Sequence, residues 1–172
     1  MKRHLNSGGL FTLYVPLYES DEKTVKSELA TFLEVFPYGT VWANTVNGAG
    51  YDLIFMGQAD ALSINLDELQ ERLNRPDYAA VAQSLREIGV NSPVDLFATY
   101  AGQKSDLKAW YGDVELNLDR DLRLQYLGGW GINSRLEDVI YRQMLRFRRP
   151  PGNLFTGSPE RLQALLSAMG LH

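Results

Sequence analysis

Residues 10–17 read LFTLYVPL, and this stretch decides the fold. Gly8 and Gly9 lead into a nearly continuous apolar run that is rich in aromatic and β-branched residues, which is typical of a β-strand. A run without polar alternation predicts a strand that is covered on both faces and lies in the middle of a sheet. The sequence therefore predicts a sheet near the start of the chain.

A helix and a hairpin are expected after this strand. Residues 20–22 (SDE) resemble a helix start, apolar residues then recur with helical spacing, and Pro37 ends the pattern. Two further strand-like runs, 40–46 and 51–59, are joined by residues 47–50 (NGAG), whose types suit a hairpin turn. The expected order is strand, helix and an antiparallel pair of strands.

From Asn65 onward the periodicity is mostly helical. Capping patterns begin at Asn65, Ser92, Ser134 and Ser158, whereas residues 112–133 are glycine-rich and expected to be irregular.

This pattern predicts an α/β protein that is a single structural domain. We expect residues 1–60 to form a small sheet with one helix, and residues 61–172 to form a helical region packed on it.

Composition excludes several classes of function. The chain has 172 residues, 17 basic and 21 acidic side chains and a net charge of −4, so we expect neither nucleic acid nor an anionic membrane as a partner. It has no cysteine, and its two histidines, His4 and His172, lie near the termini. We therefore expect no metal centre, no thiol or histidine catalysis, and a cytoplasmic location. Residues 1–4 (MKRH) are basic, but no apolar signal segment follows them.

Several segments resemble the second half of the spermidine/spermine synthase family. Residues 3–11 (RHLNSGGLF), 14–19 (YVPLYE) and 32–37 (FLEVFP) resemble strand five of that family's methyltransferase-type Rossmann sheet and its flanks. Residues 51–57 (YDLIFMG) are similar to the last strand of that sheet, and residues 117–126 (NLDRDLRLQY) resemble its Asn-Thr-Asp-Asp-x-Pro-x-Leu-Glu-Tyr segment. Four positions of this last segment are kept: Asn117, Asp119, Leu124 and Tyr126.

The resemblance implies both a fold and a function. The fold is the C-terminal half of a methyltransferase-type Rossmann sheet, about three strands with the last two an antiparallel pair, followed by a mostly helical C-terminal region. The function is related to aminopropyl transfer from decarboxylated S-adenosylmethionine to a polyamine. The family's glycine-rich loop, ribose-binding acidic residue and catalytic Asp loop belong to a first half that this sequence does not contain. We therefore expect no catalytic residue and no cofactor binding in this chain alone, and expect it to be inactive alone.

Tyr18 and Glu19 are the candidate substrate-binding residues. They follow the first strand, and ligands of open α/β sheets bind beyond the carboxyl ends of strands, so a hydroxyl and a carboxylate there suit a polyamine cation. The competing interpretation is a tyrosine that packs on the next helix and a glutamate near the positive end of that helix.

Asn117, Asp119 and Tyr126 are expected to have a structural role. Asn and Asp side chains readily bond to nearby backbone groups, so these residues are predicted to fix a loop against the sheet.

Other clusters have simpler interpretations. The acidic residues of segment 113–121 are interpreted as solvated turn carboxylates, and the arginines of segment 142–149 as helix C-terminal charges. An aromatic group is either an amine cage or part of a satellite core: Trp110, Tyr111, Tyr126 and Trp130.

The partner question stays open between three interpretations. A strand that has lost its neighbour exposes backbone donors and acceptors, so we expect a homo-oligomer that pairs through residues 10–17, or a separate first half that supplies the neighbour. The third interpretation is a non-catalytic binding or assembly module on a degenerate synthase scaffold. The sequence leaves open the amine substrate and whether Met1 is the native start.

Overall fold

The computed structural model describes residues 4–132 and 134–171 of an α/β protein, with the side chain of Trp130 excepted. Residues 1–3, which carry the basic start, and His172 lie outside the described residues. Its elements in chain order are β1 (Leu10–Pro16), α1 (Glu22–Val35), β2 (Thr40–Val46), β3 (Ala49–Gln58), β4 (Ile64–Asn65), α2 (Leu66–Leu73), α3 (Ala79–Glu87), α4 (Pro93–Phe97), β5 (Tyr100–Gln103), α5 (Lys104–Tyr111), α6 (Arg123–Gly131), α7 (Glu137–Leu145), β6 (Phe155–Thr156) and α8 (Pro159–Ala168). No helix of the described residues is long and apolar enough to cross a membrane.

The chain divides into two compact units. The first consists of Met1–Ala61 and Ala101–Arg149, and the second of Leu62–Tyr100 and Pro150–His172. The expected boundary near residue 60 coincides with the end of the first segment, but residues 101–149 belong with the sheet. They do so because α5 and α6 pack on α1, and α7 packs on β3.

A four-stranded sheet organises the first unit, in the order β1-β3-β2-β5. β3 is antiparallel to both β1 and β2, with Leu13 opposite Phe55 and Val41 opposite the same residue. The expected antiparallel pair is thus present as β2 and β3. Asn47 (φ 53°) and Gly48 (φ 78°) form its two-residue turn, and positive φ at both central positions is what a type I′ hairpin turn requires.

β1 is an edge strand, so the prediction that it lies in the middle of the sheet with both faces covered is wrong. Its residues alternate: Phe11, Leu13 and Val15 face the core, whereas Leu10 and Tyr14 on the other face are half-exposed. The run looks continuous because apolar and aromatic residues stand on both faces. Residues 10–17 therefore show no alternation of apolar and polar residues that would predict which face is exposed.

The core of the first unit lies between the sheet and α1. Asp21 caps α1 by accepting a hydrogen bond from the Thr24 amide at 2.7 Å, as its place before the helix predicts. The rings of Phe11 and Phe36 stack with centroids 5.7 Å apart. Gly57 lies beneath this contact, and any β-carbon there would come within 2.5 Å of the Phe36 ring. The aromatic contact thus needs a glycine in β3.

Two stretches differ from the predicted secondary structure. The segment expected to be irregular, 112–133, contains α6, because the run 123–127 (RLQYL) consists largely of good helix formers. The helix that begins after Ser92 stops at Phe97, and β5 interrupts the region expected to be mostly helical as the fourth strand of the sheet.

The second unit is mainly helical, with a short parallel pair of strands, β4 and β6. Asn65 caps α2 as predicted, accepting from the amides of Asp67 and Glu68. Asp67 in turn binds the Ser158 hydroxyl and the Arg161 guanidinium, at 3.0 Å and 2.7 Å, which connects α2 to the start of α8. Hydrogen bonds from Ser158 and Arg161 lower the pKa of the Asp67 carboxyl group.

Candidate functional site

Polar side chains meet where β1 and β2 end. Both strands are antiparallel to β3, so they point in the same direction, and their carboxyl ends lie at the same edge of the sheet. Tyr14 and Tyr18 come from the end of β1 and the turn after it, Asn44 from the end of β2, and Asp52 from the start of β3 between them. We call these four residues the β1 site. Ligands of open α/β sheets bind at this kind of edge.

The carboxylate of Asp52 is the centre of the β1 site. It is only 5% exposed, since Pro16 and Asn44 flank it on the neighbouring strands. The Tyr14 hydroxyl donates to Asp52 Oδ1 at 2.7 Å, and the Asn44 amide donates to Oδ2 at 3.2 Å. Asp52 is therefore a buried acceptor that is held in one orientation by two neutral donors.

Tyr18 forms the outer part of the same cluster. Its ring stacks on Tyr51 with centroids 4.7 Å apart, and its hydroxyl oxygen lies 3.5 Å from that of Tyr14. The hydroxyl of Tyr18 and the carboxylate of Asp52 both raise the pKa of the Tyr14 phenol. Tyr14 thus stays protonated at neutral pH, donating to Asp52 and presenting a lone pair outward.

Within the described residues, the β1 site has no cationic partner. In the part of the chain that the structure describes, no ion pair involves Asp52 or Glu19. A buried carboxylate is normally paired with a cation or fully hydrogen-bonded, and the described residues supply Asp52 with hydrogen bonds alone. Phenolic oxygens and tyrosine ring faces beside such a charge form an environment that attracts an ammonium group.

Of the two predicted substrate-binding residues, Tyr18 belongs to this cluster, whereas Glu19 is exposed on the turn beside it. The turn itself is fixed: the Ser20 hydroxyl donates to the Pro16 carbonyl at 2.7 Å, and the Ser20 amide donates to the Leu17 carbonyl at 3.2 Å. Tyr18 stacks on a β3 residue, so the competing interpretation that it packs on the next helix does not describe its ring contact.

Residues 117–126, which we call the motif segment, are held by Asn117. Its side-chain oxygen accepts from the Leu124 amide at 2.9 Å, and its own amide donates to the Thr31 hydroxyl of α1 at 2.8 Å. The segment is thus fixed against a helix, not against the sheet. Asp119 is exposed. The bond to nearby backbone that was predicted for Asp119 is made by Asp121, which accepts from the Leu118 amide at 3.0 Å.

Tyr126 does not have the predicted role either. Its side chain is 72% exposed, whereas Trp110 and Tyr111 are buried in the core of the first unit. These three residues therefore form no common cage. The side chain of Trp130, the fourth aromatic residue considered, lies outside the described residues.

The acidic and basic clusters have partners within the chain. Asp113 pairs with Lys108 at 3.1 Å, Glu115 pairs with Arg123, and Arg142 pairs with Asp138 at 2.6 Å. These contacts agree with the structural interpretation of both clusters. Within residues 4–132 and 134–171, no group of three histidine, aspartate or glutamate side chains is arranged to hold a metal ion.

None of the three glycine clusters, residues 8–9, 48–50 and 128–131, stands between a strand and a helix N-terminus. Gly8 and Gly9 precede a strand at the sheet edge, Gly50 is packed against Tyr141, and Gly131 is packed against the backbone of residues 19–21. A cradle needs glycines between a strand and a helix N-terminus, with open space in front of them.

Sequence reasoning missed Asp52, Asn44 and the role of Tyr14. Asp52 carried a signal, because it is the single charged residue in the strand-like run 51–57. Its partners were not predictable without the register that sets Asn44 opposite Asp52 and brings Tyr14 diagonally across from it. No family model, curated protein or solved structure matches this chain.

Proposed function

We propose that this chain is the polyamine-facing half of an aminopropyltransferase-like protein, similar to the second half of the spermidine/spermine synthase family. In that family an aminopropyl group passes from decarboxylated S-adenosylmethionine to an amine. The chain supplies the amine-binding side of such a site and is inactive alone. The observation that carries this proposal is the buried Asp52, which has no cationic partner in the described chain and accepts a hydrogen bond from Tyr14, whose hydroxyl lies 3.5 Å from that of Tyr18.

The strand order supports the Rossmann part of the proposal. A methyltransferase-type sheet ends in a reversed strand that lies beside strand five. β3 is similar in sequence to that last strand, and β1 is similar to strand five. β3 lies beside β1 and is antiparallel to it. This antiparallel pairing of β1 and β3 supports the Rossmann part of the proposal.

The chemistry of the β1 site supports the choice of an amine. A primary ammonium group donates hydrogen bonds and carries a positive charge, and the site offers phenolic lone pairs, a buried negative charge and a stacked tyrosine pair. Glu19, exposed on the adjoining turn, adds a second negative charge for the far end of a polyamine. An anionic ligand would be repelled by both carboxylates, and a neutral ligand would gain hydrogen bonds but no charge attraction from them.

The glycine positions support inactivity of the chain alone. Transfer requires the sulfonium substrate to be held in line with the attacking amine, and requires a base that removes the proton of that amine. Gly50 and Gly131 are packed against other parts of the chain, and Asp52 accepts hydrogen bonds from Tyr14 and Asn44. A second polypeptide or segment must supply the remaining groups. The absence of cysteine favours a cytoplasmic setting for this reaction.

The outer edge of β1 favours a second candidate function, that of a non-catalytic assembly module. In the described part of the chain no strand pairs with this edge. The Leu17 amide donates to Tyr51 in β3, so by antiparallel alternation Thr12 and Tyr14 direct their backbone groups to the open side. Pro16 belongs to the same set, and its missing N–H ends the available edge. Either a second copy or a separate first half suits this edge.

Calorimetric titration with spermidine and with methylthioadenosine tests the main proposal. The purified chain should bind spermidine, should not bind the nucleoside, and should form no spermidine from putrescine and decarboxylated S-adenosylmethionine. Turnover above background, or binding of the nucleoside without the amine, would contradict the proposal.

Sedimentation equilibrium of Thr12→Pro tests the assembly candidate. This substitution removes an outward N–H of β1, so a dimer that pairs through the edge should become a monomer. Leu13→Pro is an unsuitable probe, because by the same alternation the Leu13 amide bonds to β3 inside the sheet. A wild-type chain that is monomeric at micromolar concentration would remove the homo-oligomer and leave the separate half.

A further inference from the structure

We infer that the end of α6 is a brace for the amine site, and that Gly131 and Ser134 are positioning residues that fix the turn bearing Tyr18 and Glu19. This inference rests on the proposed function for its consequence in binding. Its structural basis is independent of that function, because it consists of contacts between the 131–134 region and the turn after β1.

Gly131 lies against the backbone of the turn. A β-carbon at this position would lie 2.7 Å from the Ser20 Cα, 2.8 Å from the Asp21 amide nitrogen and 2.8 Å from the Glu19 carbonyl oxygen. All three atoms belong to the main chain, so no side chain can rotate away to make room. Any other residue at position 131 must therefore displace either α6 or the turn.

Ser134 adds a directed contact to the same turn. Its hydroxyl donates to the Ser20 carbonyl at 3.1 Å, and its amide donates to the Gly131 carbonyl at 3.1 Å. The sequence predicts Ser134 as a helix cap, but α7 begins at Glu137 with Leu136 at its cap position. The hydroxyl is thus used for a contact between parts of the chain 114 residues apart, and not for starting the next helix.

The turn is fixed from its other side as well. Ser20 is 7% exposed and bonds back to Pro16 and Leu17 at the end of β1, and Asp21 caps α1. Tyr18 and Glu19 therefore stand between the end of a strand and the start of a helix, with the end of α6 pressed against the next two residues. Such support from several sides is what holds a binding group in one position.

The position of this turn sets the contact between the two tyrosines. The hydroxyl oxygens of Tyr14 and Tyr18 are 3.5 Å apart, already at the outer limit of a hydrogen bond. To accommodate a β-carbon at position 131, the neighbouring backbone must move by several tenths of an ångström. A shift of that size in the turn breaks the contact between the Tyr14 and Tyr18 hydroxyls. It also slides the Tyr18 ring along Tyr51. The brace thus determines whether Tyr14, Tyr18 and Asp52 act as one site.

The chain contains its own matched controls. Gly128 and Gly129 lie in the same helix, and a β-carbon at either position meets nothing within 4 Å. Gly129→Ala therefore makes the same chemical change in α6 without touching the turn. Ser134→Ala removes the directed contact and adds no atoms, so it remains informative if Gly131→Ala fails to fold.

The test compares these variants by NMR and by titration with spermidine. Two readouts are used: the ring-proton shifts of Tyr18, which the stacked Tyr51 ring displaces upfield, and the Kd for spermidine. In Gly131→Ala, the ring-proton signals of Tyr18 should lose their upfield displacement. Spermidine binding should weaken about tenfold or more, because site geometry is sensitive to displacements of this size. Ser134→Ala should change both in the same direction by a smaller amount, and Gly129→Ala should match the wild type in both.

The results separate the brace from the proposed function. If the Tyr18 ring shifts are the same in Gly131→Ala and in the wild type, or if Gly129→Ala changes them equally, the brace does not exist. If the wild type does not bind spermidine, the proposed function fails, and the brace is then judged on the ring shifts alone. A change in melting temperature without a change in the Tyr18 shifts would assign Gly131 a purely structural role and overturn the inference.

Discussion

The β1 site and the motif segment use their polar residues in opposite ways. At the β1 site, Tyr14 and Asn44 come from different strands and both donate to the buried carboxylate of Asp52, while Tyr18 lies against Tyr14. In the motif segment, Asn117 and Asp121 bond to nearby backbone, while Asp119 and Tyr126 are exposed. A polar residue can therefore bind a ligand or fix the local backbone, and only its hydrogen-bond partners distinguish the two roles.

The largest expected effect is on spermidine binding when one carboxylate charge is removed from either region. Asp52→Asn keeps the size of the side chain and removes its charge, so it should weaken spermidine binding about tenfold, which is about 1.4 kcal/mol. Asp119→Asn removes the same charge from an exposed carboxylate and should leave the Kd unchanged. Titration calorimetry at low ionic strength measures both. Equal losses for the two variants would indicate unspecific attraction to an acidic protein and would remove the distinction.

The next effect concerns stability and should be confined to the motif segment. Asn117→Ala removes the acceptor of the Leu124 amide and should lower the free energy of unfolding by about 1–2 kcal/mol. Asp119→Ala should change it by less than about 0.5 kcal/mol, as is usual at exposed positions. Urea denaturation followed by circular dichroism compares the two. If Asp119→Ala were the more damaging, the segment would be fixed by a contact other than those of Asn117.

A smaller, pH-dependent effect concerns α1, the helix that follows the β1 site and bonds to the motif segment through Thr31. Burial raises the pKa of the Glu28 carboxyl group on this helix to about 7. The folded state thus binds a proton more tightly than the unfolded state does, and the stability from that proton is present in acid and is lost as the pH rises through 7. Glu28→Gln should therefore flatten the pH dependence between about 4.5 and 7 and stabilise the protein at pH 8.

Melting temperatures of wild type and Glu28→Gln at pH 4 and pH 8 measure this effect. The difference between the two proteins should be small at pH 4, where the wild-type carboxyl is protonated, and should favour the variant at pH 8. A variant that is less stable than the wild type at pH 8 would mean that the ionised carboxylate is stabilised by a partner.

Sequence patterns predicted local structure better than they predicted contacts. Periodicity identified α1, and turn chemistry identified the β2–β3 hairpin, because helical spacing and positive-φ residues are local signals. The edge position of β1 was not predictable, since apolar residues occupy its exposed face as well. The role of Ser134 was missed for a related reason: a serine three residues before a glutamate fits a capping box, and nothing local reveals a carbonyl 114 residues away.

The candidate site was predictable in part. Strand ends are where ligands bind, and this rule identified Tyr18 and Glu19 without any register. Asp52 and Asn44 are neighbours only because β2 and β3 pair with Asn44 opposite Asp52, just before a bulge that shifts the register by one residue. A pairing slipped by one residue would turn their side chains to opposite faces. Register decides the chemistry here, and it is a property of the folded sheet.

The most direct test of the central claim is a map of backbone amide shifts as spermidine is added to the ¹⁵N-labelled chain. The saturable changes should cluster at Tyr14, Tyr18, Glu19 and Asp52, and they should be absent from Asp52→Asn. The motif segment around Asp119 should show no saturable change. Changes that cluster at residues 117–126 instead, or that persist unaltered in Asp52→Asn, would contradict the assignment of the β1 site as the amine-binding side of the protein.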